Sequence, residues 1–278
     1  MTVANGAATI ILRRCAANVV AALTRLAHPI DIGRGFPWLR DPQRLAIAAG
    51  IVVAMFVFGM IFVDAVVIRA VGHLPRWVVW FFDEITDFGK SGWFLWPLGL
   101  LFLALAALPR ERLTSGSQAV LAALMVRVGF LFVAIGAPSL FDTIIKRIIG
   151  RARPLVTGVI DPYAFSPFIW KASYASLPSG HATTAFAVLA AFATLWPRGR
   201  TYFLIYALLI GASRMVVTAH YPTDVAAGAL VGIVGALLVR RWFALQRLGF
   251  SVGPDGLLHQ YPGPSVRRIK SVARELLA

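Results

Sequence analysis

Two histidines, an aspartate and three cations stand at spacings that suit phosphoryl chemistry. The first set is "KRIIGRARP", Lys146 to Pro154. Lys146 and Arg153 are seven residues apart, so a continuing helix carries them on one face, about two turns apart. Lysine offers a point charge and arginine a planar donor fork, a pairing suited to a phosphate. Snorkelling at a membrane boundary is the ordinary alternative. The second set is Pro178-Ser179-Gly180-His181, which opens the apolar run "ATTAFAVLAAFATLW". Ser179 reads as an N-cap, with Gly180 and His181 in the first turn. Unpaired N–H groups and the helix dipole make such a terminus an anion site, Gly180 lets an anion approach the backbone, and His181 can protonate a leaving group. The third set is "SRMVVTAHYPTD", Ser213 to Asp224. Here Asp224 falls in the first turn of a helix begun by Pro222. Placed beside His220, it can fix the imidazole tautomer and leave the other nitrogen free to attack phosphorus. Taken singly, each set also fits an ordinary capped or interfacial helix.

The elements that must hold these residues are membrane spans. The chain has 278 residues, 59% hydrophobic and only 14% charged, where soluble domains carry roughly 25% charged residues. Windows of about 20 apolar residues predict six spans, near 45–68, 91–109, 118–146, 179–196, 202–218 and 222–242. The fold expected is all-α, a polytopic membrane protein of six transmembrane helices with its site at the outer ends of helices three to six. Residues 1–44 form an amino-terminal cytoplasmic segment with an interfacial helix near Ile10–Leu26. Residues 45–242 form the six-span domain, and 243–278 a basic cytoplasmic tail resting on anionic lipid. The aromatic segment "RWVVWFFDEITDF", Arg76–Phe88, is too short to span and suits the outer interface.

Net charge is +15, but its distribution argues against nucleic acid. Arg13, Arg14, Arg25, Arg34, Arg40 and Arg44 precede the first span, Arg110 and Arg112 lie in one loop, and Arg198 and Arg200 in another. Arg240, Arg241, Arg247, Arg267, Arg268, Lys270 and Arg274 follow the last span. This alternation follows the positive-inside rule and puts both termini in the cytoplasm. The outward connection 147–178 breaks the rule with Arg147, Arg151, Arg153 and Lys171, which suits an anionic ligand there. Arg147 and Arg151 share a different face from Lys146; they could contact a second phosphate or a sugar headgroup, or anchor the interface. Asp142, one turn before Lys146, is expected to hold its ammonium. Asp64 and Arg127 lie at different depths in their spans and are not expected to pair. His28, His73 and His259 have no evident partner and read as structural or surface residues. The single Cys15 excludes an intramolecular disulfide. No signal-peptide cleavage pattern is evident, so the first span is expected to act as the insertion signal.

Lys146-x6-Arg153-Pro154, Pro178-Ser179-Gly180-His181 and Ser213-Arg214-x5-His220-x3-Asp224 together resemble the three-part signature of the type-2 phosphatidic acid phosphatase superfamily, which also includes vanadium haloperoxidases. The signature spans about 80 residues. The resemblance implies that His220 is the nucleophile, forming a phosphohistidine, and that Asp224 orients it. His181 would protonate the leaving oxygen and later help activate water. Lys146, Arg153 and Arg214 would hold the phosphoryl oxygens, assisted by Ser179 and the Gly180 amide. It also implies no metal and no other cofactor, with cations supplying the charge stabilisation.

The function expected is an integral-membrane lipid phosphate phosphatase in the inner membrane, its site facing the periplasm or exterior. Phosphatidate, phosphatidylglycerol phosphate, polyprenyl diphosphate and the phosphates of lipid A are candidate substrates. A lipid phosphotransferase would share every motif. A non-catalytic lipid-phosphate binding or transport protein would need only the cations, so both histidines and Asp224 argue against it. A haloperoxidase is disfavoured by the short chain and the membrane setting.

Overall fold

The computed structural model describes residues 2–28 and 41–277. Arg34 and Arg40, counted above among the amino-terminal cations, lie outside the described residues. Helices occupy the predicted spans. The first long one is Pro42–Val71. Pro42 opens it, and the Asp41 side chain accepts from Arg44 N at 3.1 Å as an N-cap. A single π-type turn, Met60–Asp64, interrupts it and ends on the buried Asp64. Such turns insert an extra residue and redirect the side chains that follow. Arg76–Thr86 and Gly92–Ala107, joined through the short 3₁₀ turn Asp87–Gly89, follow. Ser115–Ile149 and Pro222–Leu245 complete the long apolar helices.

Among the described residues, four helices are long and apolar enough to cross a membrane: Pro42–Val71, Arg76–Ala107, Ser115–Ile149 and Pro222–Leu245. The other two predicted spans form helices of 16 and 17 residues, Gly180–Leu195 and Arg200–Val216. At about 1.5 Å per residue they extend roughly 24–26 Å, short of a hydrocarbon core of about 30 Å. The expected count of six therefore meets the length criterion at four. Only 11% of the most apolar window of Pro42–Val71 is buried within the protein. Ile51, Val53, Met55 and Phe58 stand exposed along it, an apolar surface that suits lipid. The protein is a multi-pass membrane protein.

Compactness divides the chain into two units. One comprises Met1–Gly35, Phe94–Phe132 and Val239–Ala278. Its core includes Leu113, Val120, Leu121 and Val272, with Phe130 edge-on to Phe243 and Phe250 at centroid distances of 5.5 and 4.9 Å. The expected interfacial segments are helical here, as Thr2–Leu26 and Val266–Leu277. Glu275 of the tail helix accepts from Thr114 N at 3.0 Å and Ser117 Oγ at 2.6 Å, capping the start of Ser115–Ile149. The hairpin Phe250–Val252 with Leu258–Gln260 departs from the all-helical expectation.

The other unit, Phe36–Trp93 and Val133–Leu238, carries all the predicted site residues. Its helices approach closely where side chains are absent. A Cβ at Gly228 would lie 2.4 Å from Ser179 O, and one at Gly232 would lie 2.4 Å from Thr183 O. These glycines, four apart, set the last helix directly against the backbone of Gly180–Leu195, as small-residue pairs do in membranes. Gly235 extends the stripe, meeting Pro138 in the same way at 2.8 Å.

Candidate active site

Two helix N-termini position the site. Ser179 stands at the N-cap of Gly180–Leu195, its carbonyl accepting from Thr183 N at 2.8 Å and its N–H donating to Asp224 O at 2.9 Å. That second bond ties it to the first turn of Pro222–Leu245. The predicted side-chain cap is not made. Ser179 Oγ is buried without a partner, as are Arg153 Nε and Arg214 Nε. A buried donor left unpaired costs about 1–3 kcal/mol. Arg153 and Arg214 both act electrostatically on His220, and His220 and Arg214 act on His181. Unpaired Arg153 and Arg214 groups acting on His220, with the unpaired Ser179 hydroxyl two residues before His181, suit an anion with several oxygens.

Lys146 comes to this place from the end of Ser115–Ile149. Its Nζ pairs with Asp142 Oδ2 at 2.5 Å, as the one-turn spacing predicted, and Asp142 Oδ1 accepts from Thr183 Oγ1 at 3.2 Å. A Cβ on Gly180 would stand 3.0 Å from both Lys146 Nζ and Asp142 Oδ2. Glycine is therefore what lets the ammonium lie against the first turn of the helix. Arg214 is 7% exposed. Its Nη1 donates to Thr86 Oγ1 at 2.6 Å, and its carbonyl accepts from His220 N at 3.1 Å. His181 packs on the backbone of Gly89, where a Cβ would meet its ring at 2.9 Å.

His220 is 2% exposed. Its Nδ1 lies 2.9 Å from the main-chain oxygen of Ser176. A carbonyl only accepts, so Nδ1 carries the proton and Nε2 presents its lone pair. Burial pushes this imidazole below its ordinary value; Asp224 opposes that, while Arg214 and Arg153 add to it. Asp224, expected to orient the ring, has Oδ2 3.8 Å from Nδ1. Its oxygens are engaged elsewhere: Oδ2 accepts from Ser176 Oγ at 2.6 Å and Tyr221 N at 2.9 Å, and Oδ1 from Arg151 at 2.7 Å. Ser176 thus stands between the two, its carbonyl at Nδ1 and its hydroxyl on the carboxylate, while Asp224 also acts directly on the ring through its charge.

Residues 127–248 match the sequence profile of the PAP2 superfamily. The lipid A 1-phosphatase of Rhizobium johnstonii is 37% identical over 174 residues, covering 63% of this chain and 71% of the relative. The chain belongs to the PAP2 superfamily. It is a membrane lipid phosphatase of the PAP2 type. The lipid A 1-phosphatase of Rhizobium etli is likewise 37% identical over 174 residues, 63% of this chain and 75% of that one. The crystal structure of a transmembrane PAP2-type phosphatidylglycerolphosphate phosphatase from Bacillus subtilis overlays with a TM-score of 0.47 at 21% identity, over 68% of this chain and 92% of that one.

Within this PAP2 chain Arg151 is a further correction. Expected at a second phosphate or at the interface, it is fully buried. Nε donates to Pro162 O at 3.0 Å, and Nη1 to Thr223 Oγ1 and Asp224 Oδ1, both at 2.7 Å. Nη2 donates to Asp64 Oδ2 at 2.7 Å and Pro162 O at 2.9 Å. A guanidinium has five N–H donors, and these bonds use all five, leaving none for a ligand. Burial opposes its charge, but Asp224 and Asp64 outweigh burial and hold it above its ordinary value. Arg147 lies over Trp170, 5.9 Å from the ring centroid. Arg127 donates to Ala123 O and Tyr261 O.

Sequence reasoning missed Ser176, Thr86 and Thr223. Ser176 stands three residues before the N-cap and Thr223 one before Asp224; either hydroxyl was a visible partner for that carboxylate. Thr86 carries no local signal, because its role exists only where Arg76–Thr86 meets Arg214.

Proposed function

We propose that this membrane lipid phosphatase hydrolyses the 1-phosphate of lipid A through a phosphohistidine on His220. The observation that carries the chemistry is the pairing of a tautomer-fixed His220 with unpaired buried Ser179 Oγ, Arg153 Nε and Arg214 Nε. The substrate rests on the two relatives, each 37% identical and each named a lipid A 1-phosphatase. His220 Nε2 attacks phosphorus while His181 protonates the departing lipid oxygen, breaking that P–O bond. Lys146, Arg153 and Arg214 take the phosphoryl oxygens, with Ser179 Oγ and the first-turn amide of Gly180 completing the cradle. Water, deprotonated by His181, then attacks the phosphohistidine, releasing phosphate and restoring neutral His220. Asp224 acts through Ser176 and by its own charge, keeping Nδ1–H in place as positive charge develops on the ring.

A groove of about 500 Å³ lined in part by Leu74, Arg76, Trp80, Asp83 and Val217 gives a bulky headgroup room. Asp83 of its wall lies within electrostatic reach of Arg214. The positive-inside pattern supports an inner-membrane protein with cytoplasmic termini and a site facing the periplasm.

The test is phosphate release by the purified, detergent-solubilised protein, with His220→Ala in parallel. Lipid A, phosphatidate, phosphatidylglycerol phosphate and polyprenyl diphosphate are compared. Release from lipid A, absent in the variant, is expected. Preference for another lipid overturns the substrate, and unchanged turnover in a folded variant overturns the nucleophile.

A further inference from the structure

Arg151 and Asp64 are fully buried, charged and outside the phosphate cradle, although Asp64 lies in the first long helix, 87 residues away in sequence. Burying these two charges together with that of Asp224, also 0% exposed, is costly unless each is paired and hydrogen-bonded. Here they are: Asp64 Oδ1 accepts from Thr223 N at 3.0 Å, and Oδ2 from Thr223 Oγ1 at 2.6 Å and from Arg151 at 2.7 Å. Arg151 bridges Asp64 to Asp224, and its guanidinium lies 4.4 Å from the centre of the Tyr221 ring. Its own carbonyl accepts from Ser176 N at 3.1 Å. Arg151 therefore grips both groups that act on His220 here: the Asp224 carboxylate and the Ser176 backbone.

The arrangement has a consequence in charge. With Asp224 paired to Arg151 alone, the carboxylate would be neutralised and could do little for a ring becoming cationic. Asp64 shares the guanidinium, so the trio keeps one net negative charge on the His220 side of the cradle. Among the described residues, the other charged or titratable groups with a leading effect on His220 are Arg214, Arg153 and His181, while the carboxylates of Asp83 and Asp87 act on Arg214 and that of Asp87 on His181. We propose that Asp64 and Arg151 are positioning residues for the phosphatase reaction, together setting the orientation and the residual negative charge of Asp224 and hence the basicity of His220. This rests on His220 being the nucleophile.

The experiment is a charge cycle on the full chain in detergent: wild type, Asp64→Asn, the double variant Asp64→Asn with Arg151→Gln, and His220→Ala. Phosphate release from lipid A is measured across pH, with thermal unfolding of each protein. Asp64→Asn removes the residual charge. It is expected to lower kcat about ten-fold with KM little changed, and to move the acid limb of the rate profile down by about half a unit or more. The double variant removes one charge of each sign, leaving Asp224 with a neutral amide donor. It is expected to fold and to return the limb to within about 0.2 units of wild type, because the net charge beside His220 is restored. Titration of the substrate's own phosphate is common to all and cancels in the comparison.

An unmoved limb in folded Asp64→Asn, or a displaced limb in the folded double variant, overturns the proposal and leaves a merely structural pair. If Asp64→Asn alone does not fold, the limb of the double variant decides. If the double variant also fails to fold, charge compensation is overturned as the reason for the pair. Activity retained by His220→Ala would instead sink the nucleophile assignment.

Discussion

Gly228→Ala should damage catalysis although Gly228 is not placed in the chemistry. A Cβ there would lie 2.4 Å from Ser179 O, 3.0 Å from Ala182 Cβ and 3.1 Å from Thr183 N. Carbon–oxygen contacts settle near 3.3 Å, so the two helices must part by roughly 0.9 Å. Two of these atoms are backbone at the start of a helix and the third is an alanine Cβ, so no flexible side-chain end can swing aside. That displacement falls on the turn carrying Ser179, Gly180 and His181, and strains the Ser179 N–Asp224 O bond of 2.9 Å. Overpacking of this kind costs about 1–3 kcal/mol. A misplacement near 1 Å can cost about a hundred-fold in rate. The expected result is a folded protein with a lowered melting temperature and kcat reduced at least about ten-fold, a loss larger than its stability change explains. The assay is initial-rate phosphate release from lipid A in mixed micelles, with melting followed on the same samples. Gly50→Ala is the control, because nothing lies within 4 Å of its Cβ position. A Gly228→Ala enzyme with wild-type kcat would refute the claim that glycine contact positions the catalytic turn.

Gly180→Ala should act on the ligand cations, since its methyl group would stand 3.0 Å from Lys146 Nζ and Asp142 Oδ2; a KM raised about ten-fold is expected, and unchanged kinetics would contradict the placement of Lys146. The pH profile follows from His220, which must be neutral to attack. Burial lowers its ionisation, so the neutral form persists further into acid, and the acid limb should fall below about pH 6.5, the ordinary histidine value; a limb above 7 would count against it. Chelation with EDTA should leave turnover unchanged, because the cations supply the charge stabilisation; a loss restored by added metal would contradict that mechanism.

The motif residues were legible in the sequence because their spacing encodes helix geometry. Lys146 and Asp142 sit one turn apart on one continuous helix, so their ion pair could be read in advance. Ser179 and Asp224 were foreseen at helix starts because proline and capping residues mark those ends locally. What each side chain does there was less legible. Ser179 has the cap position without the cap bond, since its hydroxyl is buried away from the first-turn amides. The expected span near 91–109 reaches membrane-crossing length only in continuity with Arg76–Thr86, which sequence reasoning set apart as interfacial because its aromatic run is short and followed by Gly89 and Gly92.

By itself, the sequence determined that this is a membrane protein and singled out the cations and the two histidines proposed as its site, since composition and local spacing carry that information. Only the tertiary structure placed Ser176 against both the Asp224 carboxylate and the His220 ring. It alone assigned Arg151 to Asp64 and Asp224 rather than to a ligand, and let glycines of the last helix set the catalytic turn. Each is a contact between residues far apart in the chain. Its energy depends on which partners burial leaves for a charge or a hydrogen-bonding group, and no local pattern records that.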